Sequence, residues 1–312
     1  MKLNLNQIIK FLDNQQYTFQ LIGDPKNEYK ICSIFKPEPN GFYFYEGEGE
    51  FNPIDSLILV DMNLNLGKDN TILLIEDNPQ EVYYKLLDYF FRIKSTGVIC
   101  KTAKIHSEAR IGKNVQIDSF TVIGKCHIGD NSIIGSNSNV NENSVIGKNV
   151  FIDSNCSVGS TGMAWVWDKK GDRILLPQFG GVKIEDGCTI GANSVIVKGS
   201  LNENSIIGKR SVIAPGARLG HGTIIGEFVH LANNVVTGGN TIIGSHSFIG
   251  SSAVFRPKTK LHSHTTVGAG AVVTSDTSKE NLTLIGVPSK EKPSKEVLFG
   301  VPKRIKKNYG KF

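Results

Sequence analysis

From Leu201 to Val273 an apolar side chain returns at every sixth residue: Leu201, Ile207, Ile213, Leu219, Ile225, Leu231, Thr237, Ile243, Ile249, Phe255, Leu261, Val267 and Val273. Eleven of these thirteen positions are aliphatic, one is aromatic and one is Thr. Gly follows directly at 208, 220, 226, 238, 244, 250 and 268. A helix repeats its apolar face every 3.6 residues and an ordinary strand every 2. A period of six fits neither. It requires short flat strands with a corner every sixth residue, so that the aliphatic side chains point into one stacked core.

An earlier block carries the same period through Ile105, Ile111, Ile117 and Ile123, takes a five-residue step to Ile128, and continues through Ile134, Val140, Ile146, Ile152 and Val158. Counting in sixes fails from Gly159 to Val182. It resumes at Ile184, Ile190 and Ile196, with a further five-residue step expected to Leu201. The pattern resembles that of the hexapeptide acyltransferases. That resemblance implies three hexads to each triangular coil, a left-handed parallel β-helix, and a homotrimer with its sites between subunits. Ten hexads in the first block and sixteen in the second then give between eight and nine coils. The expected fold class is mainly β: a left-handed parallel β-helix over 99–275, carrying a loop at 159–182, preceded by a small α/β domain over 1–98 and followed by a tail over 276–312.

The first 98 residues have no six-residue period. Leu3–Leu12 reads as a helix with apolar Leu5, Ile8, Ile9 and Leu12. Strands are expected at Tyr29–Phe35, Gly41–Tyr45, Ser56–Val60 and Thr71–Ile75, then a helix from Gln80 to about Ile93 behind Asn78-Pro79. Pro39-Asn40-Gly41 before Phe42-Tyr43-Phe44, and Leu73 to Pro79 before the helix, resemble the N-terminal domain of the UDP-3-O-acylglucosamine N-acyltransferases. In that family a Phe and a Tyr of an F-x-x-N-P-x-Y motif stack on uracil. Here the stretch from Phe44 to Phe51 lacks the Asn-Pro-x-Tyr portion. Alternating strand packing accounts for Phe42, Tyr43 and Phe44 equally well.

Hydrophobic content of 39% and charged content of 21% fit a globular chain. No charged-then-apolar leader and no apolar run near 18 residues is visible, so the expectation is a cytoplasmic protein without a membrane span. The five cysteines are odd in number and widely spaced, as in a reducing compartment. The net charge of +6 favours phosphate-bearing partners, and part of it lies in Lys303, Arg304, Lys306, Lys307 and Lys311. No basic groove interleaved with aromatics points to nucleic acid.

The interruption from Gly159 to Val182 holds both tryptophans, Trp165 and Trp167. A long aromatic-bearing excursion from a regular scaffold reads as a binding or interface loop. Gly159-x-x-Gly162, Asp168 and Leu176-Pro177-Gln178-Phe179-Gly180-Gly181-Val182, followed by Ile190-Gly191-Ala192 through Leu201, resemble the corresponding loop and following run of the lipid A N-acyltransferases. The Asp-Arg pair of that family is replaced by Val197-Lys198. Trp165, Trp167 and Gln178 are therefore candidate substrate-binding residues.

One coil spans eighteen residues, so His221 stacks under Gly239 and Gly239 under Pro257. The run from Leu219 to Gly226 matches the family's catalytic-His motif at His221, and Gly239 matches its oxyanion-donor Gly. The chemistry is coherent: an amine attacks only when unprotonated, and a base near pKa 7 can take its proton. A backbone N–H without an intervening side chain can hold the thioester oxyanion. His230, Asn233 and Asn234 are further substrate candidates, with an interior ladder the alternative for the two asparagines; His246, His262 and His264 read as surface residues. The family's second His falls on Lys258. Arg256, Lys258 and Lys260 cluster on one late coil and are candidate donor-binding residues for coenzyme A phosphates or an acidic carrier protein. The segment Val267–Thr274 and Leu284–Pro288 resembles the last coil of coenzyme A-dependent members, and Pro293, Gly300 and Pro302 oppose long helices in the tail.

The expected function is an N-acyltransferase that moves an acyl group from coenzyme A to the amine of a dTDP- or UDP-linked amino sugar of a surface polysaccharide. No cofactor is tightly bound; acyl-CoA is a co-substrate. The alternative is the acyl-carrier-protein-dependent enzyme of lipid A biosynthesis. A metal-dependent solenoid resembling the hexapeptide carbonic anhydrases needs an H-x-x-x-x-H pair, which none of the seven histidines forms, and a non-catalytic β-helix needs neither the family-like loop nor a His under a Gly.

Overall fold

In the computed structural model, residues 1–47, 51–62, 67 and 69–293 are described. The basic cluster from Lys303 to Lys311, Gly300, Pro302, and Glu48 to Glu50 of the aromatic loop lie outside them. The chain divides into two compact units, Met1–Ile93 and Lys94 onward. Ser95 and Thr96 already hydrogen-bond to Asn114 and Gln116 of the solenoid, so the contacts change a few residues before 98.

Among its described residues, the first unit is a six-stranded sheet with two helices. Its elements are β1 (Lys2–Asn4), α1 (Leu5–Asn14), β2 (Phe19–Ile22), β3 (Glu28–Ile31), β4 (Gly41–Phe44), β5 (Leu57–Val60), β6 (Thr71–Ile75) and α2 (Pro79–Phe91), with strand order β1-β3-β4-β5-β6-β2. The first helix begins two residues later than the apolar pattern implies, because Asn4 closes a capping box with Gln7 and the residues before it pair with β3. The sequence reading missed β2, and β3 stops at Ile31 rather than Phe35. The second helix starts at Pro79, one residue before the expected Gln80, with Asn78 as its cap, and stops at Phe91 rather than about Ile93. Phe42 and Tyr43 are buried on opposite sides of β4, so strand packing accounts for them.

The second unit is a left-handed parallel β-helix. Its strands form three parallel sheets, one per face, and successive coils pair in register, as in Val122↔Lys104 and Ile224↔Ile242. Eight complete coils and one strand of a ninth run from Lys104 to Val273. The six-step residues from Ile207 to Val273 are all buried, in one core that continues down to Val115. Leu201 is the exception. It is 50% exposed, and the strand that follows Val195–Val197 is Asn204–Ile207. The five-residue step expected there is instead a second excursion, which happens to place a Leu in phase.

Most corners hold a residue with positive φ. Asn fills many of these positions, including Asn114, Asn131, Asn149, Asn193, Asn234 and Asn240, because a short carboxamide tolerates the left-handed region. The exposed upper sheet edge is covered by Leu282–Ile285, which Lys290–Pro293 joins antiparallel. The 159–182 excursion is itself a hairpin, Trp165–Trp167 against Arg173–Leu175. Asp168 closes its turn by accepting from the N–H groups of Lys170 and Asp172.

Candidate functional site

Three features of the fold bring His221 to a defined place. It lies on the corner between Arg218–Leu219 and Ile224–Ile225. Beside it, Gly220 N–H reaches up to both the carbonyl and the hydroxyl of Thr237 on the next coil, which explains the one polar residue in the apolar column. Above it, Gly239 stands one coil on, and a Cβ built there would overlap the Nε2, Cδ2 and Cε1 atoms of the imidazole. Only glycine lets the ring lie against that backbone.

The other ring nitrogen is engaged too. His221 Nδ1 is 3.0 Å from Ser200 Oγ. Ser200 sits in the second excursion, on a tight turn. Glu203 fixes the turn by accepting from the N–H groups of Ser200 at 2.7 Å and Leu201 at 3.0 Å. Glu203's own N–H, with those of Leu201 and Ser200, holds its carboxyl below the usual carboxylate range, and the nearby His221 adds to the effect. The root of the first excursion packs on the same turn: Phe179 N–H donates to Ser200 O at 3.0 Å, and Gly199 N–H to Gly181 O at 3.0 Å. Gln178 is buried, takes the Gly162 N–H on Oε1, and points Nε2 at Ser200 Oγ, 3.4 Å away.

An open groove of about 580 Å³, lined by Glu203, Asn204, Gly222, Asn240, Lys258, Lys260 and Asp276 over Ile224 and Ile242, meets the His221 corner at Gly222. Gly222, Asn240 and Lys258 form one corner ladder with φ of 63°, 58° and 67°. Lys258 fills the same left-handed corner position that Arg210, Phe228 and His246 fill on other coils. Lys258 N–H donates to Gly239 O at 2.8 Å, and Lys260 N–H to Asp276 at 2.8 Å.

The sequence candidates therefore separate into groups. His221, Gly239, Gln178, Lys258 and Lys260 are placed on or beside one corner. Arg256 is exposed on the same coil as the two lysines but does not line the groove. Trp165 and Trp167 are exposed on the hairpin, their rings 5.0 Å apart, with the Arg173 guanidinium 4.6 Å and 5.0 Å from them. His230 lies on another face, stacked on Phe248 at 5.2 Å. Asn233 and Asn234 follow it on a different corner. Asn234 has a φ of 59° and lays its carboxamide against Gly216, so its side chain serves the corner ladder. His246 and His264 are half-buried and stacked at 5.1 Å rather than freely exposed; His262 is exposed. Lys198 is buried, its ammonium 3.8 Å from Glu142. Ser200, Glu203 and Asn240 were missed. The failed period before Ile207 was the available signal for the first two, and the eighteen-residue spacing from Gly222 for the third.

Among the described residues, no cluster of His, Cys, Asp and Glu could hold a metal ion, and no helix is long and apolar enough to cross a membrane.

The repeats match two sequence families. Residues 108–142 and 240–275 match the bacterial transferase hexapeptide (six repeats), and residues 181–199 and 200–237 match the hexapeptide repeat of succinyl-transferase. No curated protein matches the chain. Among solved structures, the UDP-N-acetylglucosamine acyltransferase from Bacteroides fragilis is 21% identical, with a TM-score of 0.58 over 69% of this chain and 78% of that one. The UDP-N-acetylglucosamine acyltransferase from Campylobacter jejuni is 19% identical, with a TM-score of 0.58 over 68% and 81%. At this level of identity the likeness establishes the fold, and the hexapeptide repeats expected from the period are the repeats found.

Proposed function

We propose that this hexapeptide-repeat protein is an N-acyltransferase that moves an acyl group from coenzyme A to the amine of a dTDP- or UDP-linked amino sugar. The observation that carries this reading is the pairing of His221 with Gly239: a ring nitrogen pressed against a side-chain-free backbone, next in sequence to Gly222 and Asn240 of a groove that Lys258 and Lys260 also line. In this reading His221 Nε2 takes a proton from the amine as the amine attacks the thioester carbonyl. The carbonyl oxygen gathers charge, and the Gly239 N–H, which no described acceptor engages, receives it. The tetrahedral species then expels the coenzyme A thiolate. No covalent enzyme intermediate forms.

Ile224 and Ile242 offer the acyl chain an apolar floor, and Lys258 and Lys260, with Arg256 nearby, meet the donor phosphates. The exposed Trp165 and Trp167 and the buried Gln178 belong to the acceptor side. His230, Asn233 and Asn234 lie on other faces of the same coils, and they reach a His221 site only across a homotrimer interface. Both substrates are reagents of the cytoplasm. The second reading, transfer from an acyl carrier protein to a UDP-acylglucosamine in lipid A synthesis, is favoured by the exposure of Arg256, Lys258 and Lys260, which also fit an acidic protein surface.

Thermal shift of the purified protein separates the two. A ligand that binds only the folded state raises Tm. Stabilisation by coenzyme A together with dTDP or UDP, and none by carrier protein, is expected. Stabilisation by carrier protein and UDP alone transfers the assignment to the second reading, and no shift with any of them removes both.

A further inference from the structure

Both excursions from the solenoid end on one hydroxyl. The 159–182 excursion delivers Gln178 to Ser200, and the 198–203 excursion delivers Ser200 to His221. The packing around this turn leaves little freedom. A Cβ on Gly180 or Gly199 would collide with the Glu203 carbonyl, and one on Gly162 would stand 2.9 Å from Gln178 Nε2. The amide orientation of Gln178 follows from its partner: the Gly162 N–H is a donor, so Oε1 accepts it and Nε2 donates toward Ser200. Glu203 is taken up by backbone N–H groups and holds the turn rather than the ring.

We propose that Ser200 is a positioning residue that selects the tautomer of His221, accepting the Nδ1–H and leaving Nε2 unprotonated against Gly239. A serine hydroxyl has two lone pairs, enough to accept from both the Gln178 amide and the Nδ1–H. The position of the proton on the ring is set by the hydrogen bond made at the other nitrogen. On proton uptake at Nε2 the ring becomes an imidazolium, its Nδ1–H still directed at Ser200 and its charge beside the Glu203 carboxylate. The root of the tryptophan hairpin is thereby connected, through Gln178, to the state of the base.

The catalytic consequence rests on the acyl-transfer reading; the tautomer does not. The test uses uniformly ¹⁵N-histidine-labelled full-length protein without substrate, with the His221 signals assigned by their loss in His221→Gln. The expected spectrum shows a protonated Nδ1 and a bare Nε2 for His221 in the native protein. In Ser200→Ala the proton redistributes to Nε2, and Ser200→Thr restores the native pattern. A protonated Nε2 in the native protein, or an unchanged tautomer in Ser200→Ala, overturns the proposal. In turnover, Ser200→Ala lowers kcat roughly 10- to 100-fold, a part of what a positioned base supplies, with KM for the thioester unchanged. If no thioester is consumed by the native protein while the tautomer behaves as stated, the functional reading fails and the positioning role stands.

Discussion

The coils from Ile207 to Val273 and the stretch from Gly159 to Glu203 are parts of the same solenoid built on opposite rules. In the first, every sixth side chain is buried and each strand pairs with one a coil away. In the second, the chain leaves the prism twice, and what it adds outside is either exposed, as Trp165 and Trp167 are, or tied to a single corner through Gln178 and Ser200. The regular coils supply distance and register; the departures supply the contacts that make one of many similar corners different. A solenoid corner is generic until something is laid over it.

That contrast can be broken from either side. His221→Ala should leave Tm within about 1 °C of the native value while acyl transfer falls about 10²–10⁴-fold, measured with saturating thioester and amino sugar. Ile243→Ala is the converse: the side chain is fully buried, and the lost burial plus the cavity should cost about 2–5 kcal/mol in denaturant unfolding, with turnover per folded molecule preserved. A Tm collapse in the first variant, or a selective loss of turnover in the second, would mean that scaffold and site are not separable.

Gly239→Ala sharpens the comparison within the site. The added methyl must move the imidazole, so kcat should fall roughly ten- to a hundredfold with little change in Tm. A fully active alanine variant would detach Gly239 from the ring's placement.

The smallest effect lies on the histidines outside the site. Burial lowers the pKa of His230, and burial together with the neighbouring His264 lowers that of His246, from an ordinary value of about 6.5. The unfolded chain then binds protons first. Stability is full above about pH 6.5 and is lost as the pH falls from there through the lowered folded values. Between pH 7.5 and 5, His230→Gln should therefore lose less Tm than the native protein, by about 1–3 °C.

The scaffold was legible because burial in a solenoid is strictly periodic, and periodicity is what a sequence displays. The stacking of Gly239 on His221 was legible for the same reason, since an eighteen-residue coil places one over the other. Leu201 shows the limit: an exposed residue fell in phase, and nothing in its type told it from the buried Leu219. Ser200 and Glu203 left only one trace, the five-residue step before Leu201, because their roles arise where two non-periodic segments meet. The aromatic strand Gly41–Phe44 left two explanations open until burial of Phe42 and Tyr43 chose between them.

The stack of coils has a consequence for motion. Each coil touches only the one before and the one after, so opening propagates from the ends, where a coil has a single neighbour. The lower end begins with the half-buried Ile105 and Ile111, and the upper end is closed by the Leu282–Ile285 and Lys290–Pro293 strands. His221 stands well inside, with complete coils on both sides. Fraying at either end therefore dies out before it reaches the ring, and amide exchange should slow from the termini of the prism toward the corner where the two excursions meet.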